Sequence, residues 1–198
     1  MDALLNDNIS LVSLIGMAGT GKTFITLACA LEKTITEQKY EKIIVARPLV
    51  AMGGKDIGYL PGSYKEKMKP WMSPIYDNLE YLFKISNVNT KDFMKKGIIE
   101  IEALTYIRGR SIPNQFIIID EAQNLTPHEI KTILTRAGEN TKIALLGDPY
   151  QIDTPYLDKD SNGLVYSASR FLNSNLSAHV VLKKGERSRL ATEAANLL

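Results

Sequence analysis

Short apolar runs alternate along this chain with segments of helical period. LVSLIG (Leu11–Gly16) reads as a strand, and TFITLACALEK as the helix that follows it. KIIVARP is the next strand, closed by Pro48. IIEIEA, FIIID, KIALLGD and AHVVLKK, rich in Ile and Val, are further strands. FIIID and KIALLG lack the in-out alternation of a half-exposed strand. Strands covered on both faces read this way, which predicts an α/β fold with a mainly parallel sheet between helical layers.

One helix carries explicit start and stop signals. Thr126 suits an N-cap, Pro127 the first helical position and Glu129 a capping box, while Gly138 is the expected C-terminal stop. Residues 51–84 mix Gly, Pro, Lys and aromatics and read as a long ordered excursion, with a turn around Leu60-Pro61-Gly62 ahead of a helix. No internal repeat or low-complexity tract interrupts the pattern. The 198 residues fit one domain spanning 1–198. The chain starts almost directly on its first strand and stops inside LATEAANLL, as a core module cut from a longer protein does.

Composition changes this picture little. At 44% hydrophobic and 23% charged residues the chain resembles ordinary globular proteins, and a net charge of +2 does not by itself imply a nucleic-acid partner. The single cysteine, Cys29, excludes an internal disulfide, favours a reducing, cytoplasmic setting and sits in an apolar stretch as a core residue does. MDALLNDNIS lacks the basic and long apolar regions of a secretory signal, and no apolar stretch approaches the roughly 20 residues needed to cross a membrane.

The chemistry begins at GMAGTGKT, residues 16–23, a match to G-x-x-x-x-G-K-[ST] between a predicted strand and a predicted helix. A chance match in a chain of this size is on the order of 1%. Gly16, Met17, Ala18, Gly19, Thr20 and Gly21 would wrap backbone N–H groups around phosphate oxygens, helped by the dipole of the following helix. Lys22 would reach the β- and γ-phosphates of ATP, and the Thr23 hydroxyl would coordinate Mg²⁺.

FIIIDEAQN, residues 116–124, then drives an apolar strand into two adjacent carboxylates. In a P-loop fold this strand is expected beside the P-loop strand, its carboxyl end facing the same crevice. Asp120 fits the Walker B role on Mg²⁺, and Glu121 is placed to orient and deprotonate the water that attacks the γ-phosphate. A third element, LLGDPYQID, follows a strand expected to neighbour the one ending in Asp120. There, Gln151 can bond the γ-phosphate and the lytic water and report which nucleotide is bound.

These stretches, with VARPLVAMGGKDIGYLPGSYKEKMKPWMSPIYDNL, ALTYIRGRSIPNQFIIIDEAQNLTPHEIKTILTRAG, LLGDPYQIDTPYLDKDSNGL and KKGERS, resemble the PhoH-like ATPases over nearly the whole chain. They look closest to the branch in which the ATPase core follows a PIN-type nuclease domain, for which there is no room here. The resemblance implies a core like that of superfamily 1 helicases, ATP hydrolysis, single-stranded RNA as the polymer and a ring, expected to be a homohexamer. It also implies that Arg187 is an arginine finger, in cis or in trans, a device worth about 10³–10⁵ in rate. The glutamine that reads adenine in many such ATPases is missing from the lead-in, so adenine specificity rests on the resemblance; the lack of an N-K-x-D stretch agrees with it.

Polymer contacts are expected from basic residues on strand-end loops beside flat side chains. Arg47, the Lys65-Lys67-Lys69-Trp71 group, and Arg108 with Arg110 qualify. Arg47 could equally reach the nucleotide, SYKEKMKPW could be a solvated helix face with Trp71 packed inward, and YIRGRS a structural turn or subunit contact. Three functions follow: a nucleic-acid-dependent ATPase motor, an ATP-switched binding module with little turnover, and a small-molecule kinase. Glu121 beside Asp120 argues against the kinase, since activating water would waste ATP.

Overall fold

The structure, a computed structural model, describes residues 1–48, 64–85, 90–107, 111–185 and 193. Six strands form one sheet: β1 (Leu11–Gly16), β2 (Lys42–Arg47), β3 (Ile99–Ala103), β4 (Gln115–Ile119), β5 (Lys142–Gly147) and β6 (Ser177–Leu182). Their order is β3-β2-β4-β5-β1-β6 and every pairing is parallel. The six apolar runs of the sequence are these strands.

The missing alternation has its cause in two cores. In β2, Ile43 and Val45 face one side of the sheet while Ile44 and Ala46 face the other; in β4, Phe116 and Ile118 oppose Ile117 and Ile119. The first face is covered by α1 (Asp2–Leu5), α2 (Lys22–Leu31) and α3 (Tyr64–Ile85), through Leu4, Leu27, Ile75 and Leu79. The second lies under α5 (Pro127–Leu134) and α6 (Gly163–Arg170), through Ile130, Ile133 and Leu164. A further helix, α4 (Thr90–Lys95), leads into β3. Because the inner strands are largely apolar on both sides, the result is a three-layer α/β sandwich. The edge strands β3 and β6 are only partly buried.

Two expectations need correction. The strand leading to Asp120 is not beside the P-loop strand: β5 lies between β4 and β1 and pairs with both. All six residues of β5 are buried, as suits a central strand. The convergence of the two motifs survives because parallel pairing puts all carboxyl ends on one edge of the sheet. Gly138 is not the stop of α5 either. That helix ends at Leu134 with Thr135 as C-cap, and Gly138 serves a close approach, its absent Cβ falling 2.8 Å from Pro113 Cα. The start of α5 is as expected: the Thr126 hydroxyl accepts from the Glu129 N–H, and the Glu129 carboxylate accepts from the Thr126 N–H at 2.9 Å.

Cys29 is buried, and His128 and His179 lie in the first turn of α5 and in β6. Lys142, fully buried at the start of β5, donates to the carbonyls of Asn6 at 2.7 Å and Ala3 at 3.4 Å, tying down the end of α1. Burial lowers its pKa to about 8. Among the described residues no helix is long and apolar enough to cross a membrane.

Candidate nucleotide site

The loop between β1 and α2 turns on its glycines. Gly19 and Gly21 take φ of 81° and 82°, the left-handed region that side chains resist. Gly21 is also the N-cap of α2 and offers no side-chain acceptor, so the first N–H groups of the helix are left for an anion. Lys22 folds back over the loop, its Nζ donating to Gly16 O at 2.6 Å and Met17 O at 2.9 Å. The Thr20 hydroxyl closes the turn on Met17 O at 2.8 Å.

Thr23, one residue into α2, reaches across to the end of β4, and its hydroxyl donates to Asp120 Oδ1 at 3.0 Å. Residues 97 positions apart in sequence thus meet at one point. Asp120 is 5% exposed, and its backbone N–H bonds Ala46 O of β2. Burial, and then the neighbouring Glu121 charge, push its carboxyl above the usual carboxylate range, against the pull of Arg47, the Thr23 bond and Lys22. The donor set fits a hard divalent cation: one hydroxyl and one carboxylate, a buried charge that a metal would neutralise, and coordination positions left for phosphate and water. Among the described residues no group of three or more His, Cys, Asp or Glu forms a closed metal cage.

Glu121 is held differently. Its backbone is left-handed, φ 55° and ψ 40°, an uncommon conformation for a non-glycine residue that clusters at functional sites. The carboxylate is engaged at both oxygens: Arg47 Nη2 donates to Oε1 at 2.7 Å, and Gln123 Nε2 donates to Oε2 at 2.7 Å. Arg47, at the carboxyl end of β2, also donates through Nη1 to Trp71 O in α3 at 2.9 Å. Gln123 is fully buried, and its amide serves two further partners, donating to Gln151 O at 2.8 Å and accepting from Asp148 N–H at 3.2 Å. Asn124 beside it accepts from the N–H groups of Asp153 and Thr154. Arg47, Pro48, Pro70 and Trp71 on one side and Glu121, Asn124 and Asp153 on the other line a cleft of about 340 Å³.

The structure therefore brings Lys22, Thr23, Asp120 and Glu121 to one edge of the sheet. Gln151 follows β5 nearby, joined to the cluster through its main chain, with an exposed side chain. Arg47, expected as a polymer or nucleotide contact, is paired with Glu121. Trp71 is partly buried and lines the cleft. Lys65, Lys67 and Lys69 fall in the first turns of α3, and their side chains, with Arg108, Arg110 and Arg187, lie outside the described residues. Sequence reasoning missed Gln123 and Asn124. Their signal was present, since two amides follow the carboxylates directly in DEAQN and a buried amide must spend its polar atoms on partners.

A family model for PhoH-like proteins matches residues 1–197. The chain is 59% identical to protein PhoH2 of Bacillus subtilis and 38% identical to protein PhoH2 of Mycolicibacterium smegmatis, each over 100% of this chain and 45% of the relative. A PhoH-like protein of Bacillus subtilis is 43% identical over 71% of this chain and 43% of its own length. The chain thus spans less than half the length of these relatives. The solved Pif1 helicase from Candida albicans aligns over 96% of this chain and 39% of that one, with 16% identity and a TM-score of 0.46. The chain belongs to the PhoH family, and its fold is that of a P-loop NTPase.

Proposed function

We propose that this member of the PhoH family binds ATP with Mg²⁺ and hydrolyses it as the motor core of an enzyme acting on single-stranded RNA. The observation that carries this reading is the meeting of Thr23 with Asp120 at the mouth of the phosphate loop, with Glu121 next to it. The loop N–H groups and the start of α2 hold the phosphates, and Lys22 exchanges its loop carbonyls for phosphate oxygens. Thr23 and Asp120 would hold the magnesium, which would supply neutralisation of the phosphate charge. Water oxygen attacks the γ-phosphorus, its proton passes to Glu121, and the bond to the β–γ bridging oxygen breaks to release ADP and phosphate. Gln151 acts as the γ-phosphate sensor and Arg187 as the finger that offsets charge on the transferring group.

The assembly is proposed to be a homohexameric ring of such domains, cytoplasmic, with the 198 residues forming one ATPase unit and a PIN-type nuclease domain in longer relatives. The decisive experiment is steady-state ATP hydrolysis with and without single-stranded RNA over a range of salt. Stimulation that weakens as salt rises supports the motor, because phosphate contacts release counterions. Slow turnover indifferent to any polymer favours an ATP-switched binding module. That second reading has one observation in its favour: both oxygens of Glu121 are engaged by other groups.

A further inference from the structure

A general base has to direct a lone pair at its water, and the proton it takes removes its charge. Glu121 is poorly placed for both. One oxygen is bonded to the Arg47 guanidinium and the other to the Gln123 amide, and the ion pair is largely shielded, with the two side chains 20% and 33% exposed. Arg47 is the partner that can be drawn off. It lines the cleft with Trp71, and it uses only one edge of its donor fork on Glu121. The cleft suits one nucleotide of a single strand: an indole for a base to stack on, the Asp153 carboxylate as an acceptor for base N–H groups, and a guanidinium for the adjoining phosphate.

We propose that Arg47 is a latch on the catalytic base, and that a phosphate of single-stranded nucleic acid lying in the Trp71 cleft releases it by taking the guanidinium from Glu121. Polymer occupancy is thereby converted into a base able to turn toward water, and ATP is conserved when no strand is bound. Arg47 is a positioning residue in this scheme, acting on the reaction only through Glu121. The inference rests on the ATPase reading above and adds to it the site where the polymer is sensed.

The test compares the intact protein with Arg47→Ala and Arg47→Lys. Turnover without polymer rises roughly 2- to 5-fold in Arg47→Ala, the upper range for release of one partly shielded ion pair, and further stimulation by an oligouridylate is lost. Arg47→Lys keeps the charge but not the fork, so it falls between wild type and Arg47→Ala in polymer-free turnover. A thermal melt of each variant establishes folding, and the lysine variant carries the test if the alanine variant does not fold. Unchanged or lower polymer-free turnover in folded variants overturns the latch.

A second readout needs no turnover. Trp71 is the chain's one tryptophan, so its fluorescence reports the cleft directly. Oligouridylate quenches it in wild type, and Arg47→Ala raises the concentration for half-quenching about 10-fold. A response to ATP alone with none to the oligonucleotide overturns the proposal by making the cleft a nucleotide subsite. If wild type hydrolyses no ATP with any strand while the quenching is intact, the ATPase reading has failed and the strand-binding cleft has not.

Discussion

The phosphate cradle and the acid pocket sit side by side on one edge of the sheet but are made of different materials. The cradle is a single run of eight residues whose work is done by the backbone: glycines at positive φ, an uncapped helix start, and one lysine folded over the turn. The acid pocket is assembled from scattered segments. Arg47 comes from β2, the Trp71 carbonyl from α3, Glu121 and Gln123 from the turn after β4, and the Asp148 N–H and Gln151 carbonyl from beyond β5. A cradle built from consecutive main chain depends on local conformation alone. A pocket built from converging side chains depends on strand order, so damage to any one segment spreads to the others.

The largest expected effect breaks the cradle. Lys22→Ala removes the residue that closes the loop, and ATP binding measured by calorimetry should disappear. Normal affinity in that variant would undo the phosphate-loop assignment. Breaking the pocket should leave affinity standing. Glu121→Gln should still bind ATP while single-turnover hydrolysis slows at least about 10²-fold, the scale of a lost general base. Undiminished hydrolysis would remove Glu121 from the reaction, and the contrast between the two halves with it.

A smaller effect tests whether the pocket depends on its scattered supports. A Cβ on Gly147 would fall 2.2 Å from Gln123 Oε1 and 2.8 Å from Leu164 Cδ2. Gly147→Ala should therefore push the Gln123 amide off Glu121 and Asp148. Overpacking of this kind costs about 1–3 kcal/mol, or roughly 2–12 °C in melting temperature for a chain of this size. Turnover should fall roughly 10-fold or more through the misplaced base, with ATP affinity retained. A variant that melts lower but turns over normally would show Gln123 to be packing only.

The same contrast explains what could be read in advance. The strands were legible because a residue buried on either face of a central strand has to be apolar, and the N-cap of α5 because Thr126 and Glu129 bond each other locally. The glycine-rich turn between β1 and α2 was legible for the same local reason. The place of β5 between β1 and β4 was not, since pairing order depends on which crossover spans which strand, and no residue of β5 records its neighbours. With that order unknown, β2 could not be set beside β4, and Arg47 could not be matched to Glu121. Gly138 misled because glycine answers to two demands, a helix stop and a close approach, and the second needs Pro113 in view.

The smallest effect concerns the cost of holding Asp120 buried. Burial raises its folded-state pKa above the ordinary 3.8, so as pH rises through 3.8 the unfolded chain releases this proton first. Between that value and the raised one the folded protein binds more protons, and this group's contribution to stability falls as pH rises. At neutral pH the buried charge is then a net cost to the fold, one that a bound cation would offset. Asp120→Asn keeps an acceptor for the Thr23 hydroxyl and removes the charge, so without nucleotide or magnesium it should be more stable than wild type at pH 7. The gain should shrink as pH falls toward 4. Added ATP should stabilise both proteins, but the increment from magnesium should appear in wild type alone. Melts across pH 4 to 8, with and without magnesium, read both effects. A variant less stable at pH 7 would mean that Arg47, Thr23 and Lys22 already compensate the carboxylate, leaving no stored cost for a cation to relieve.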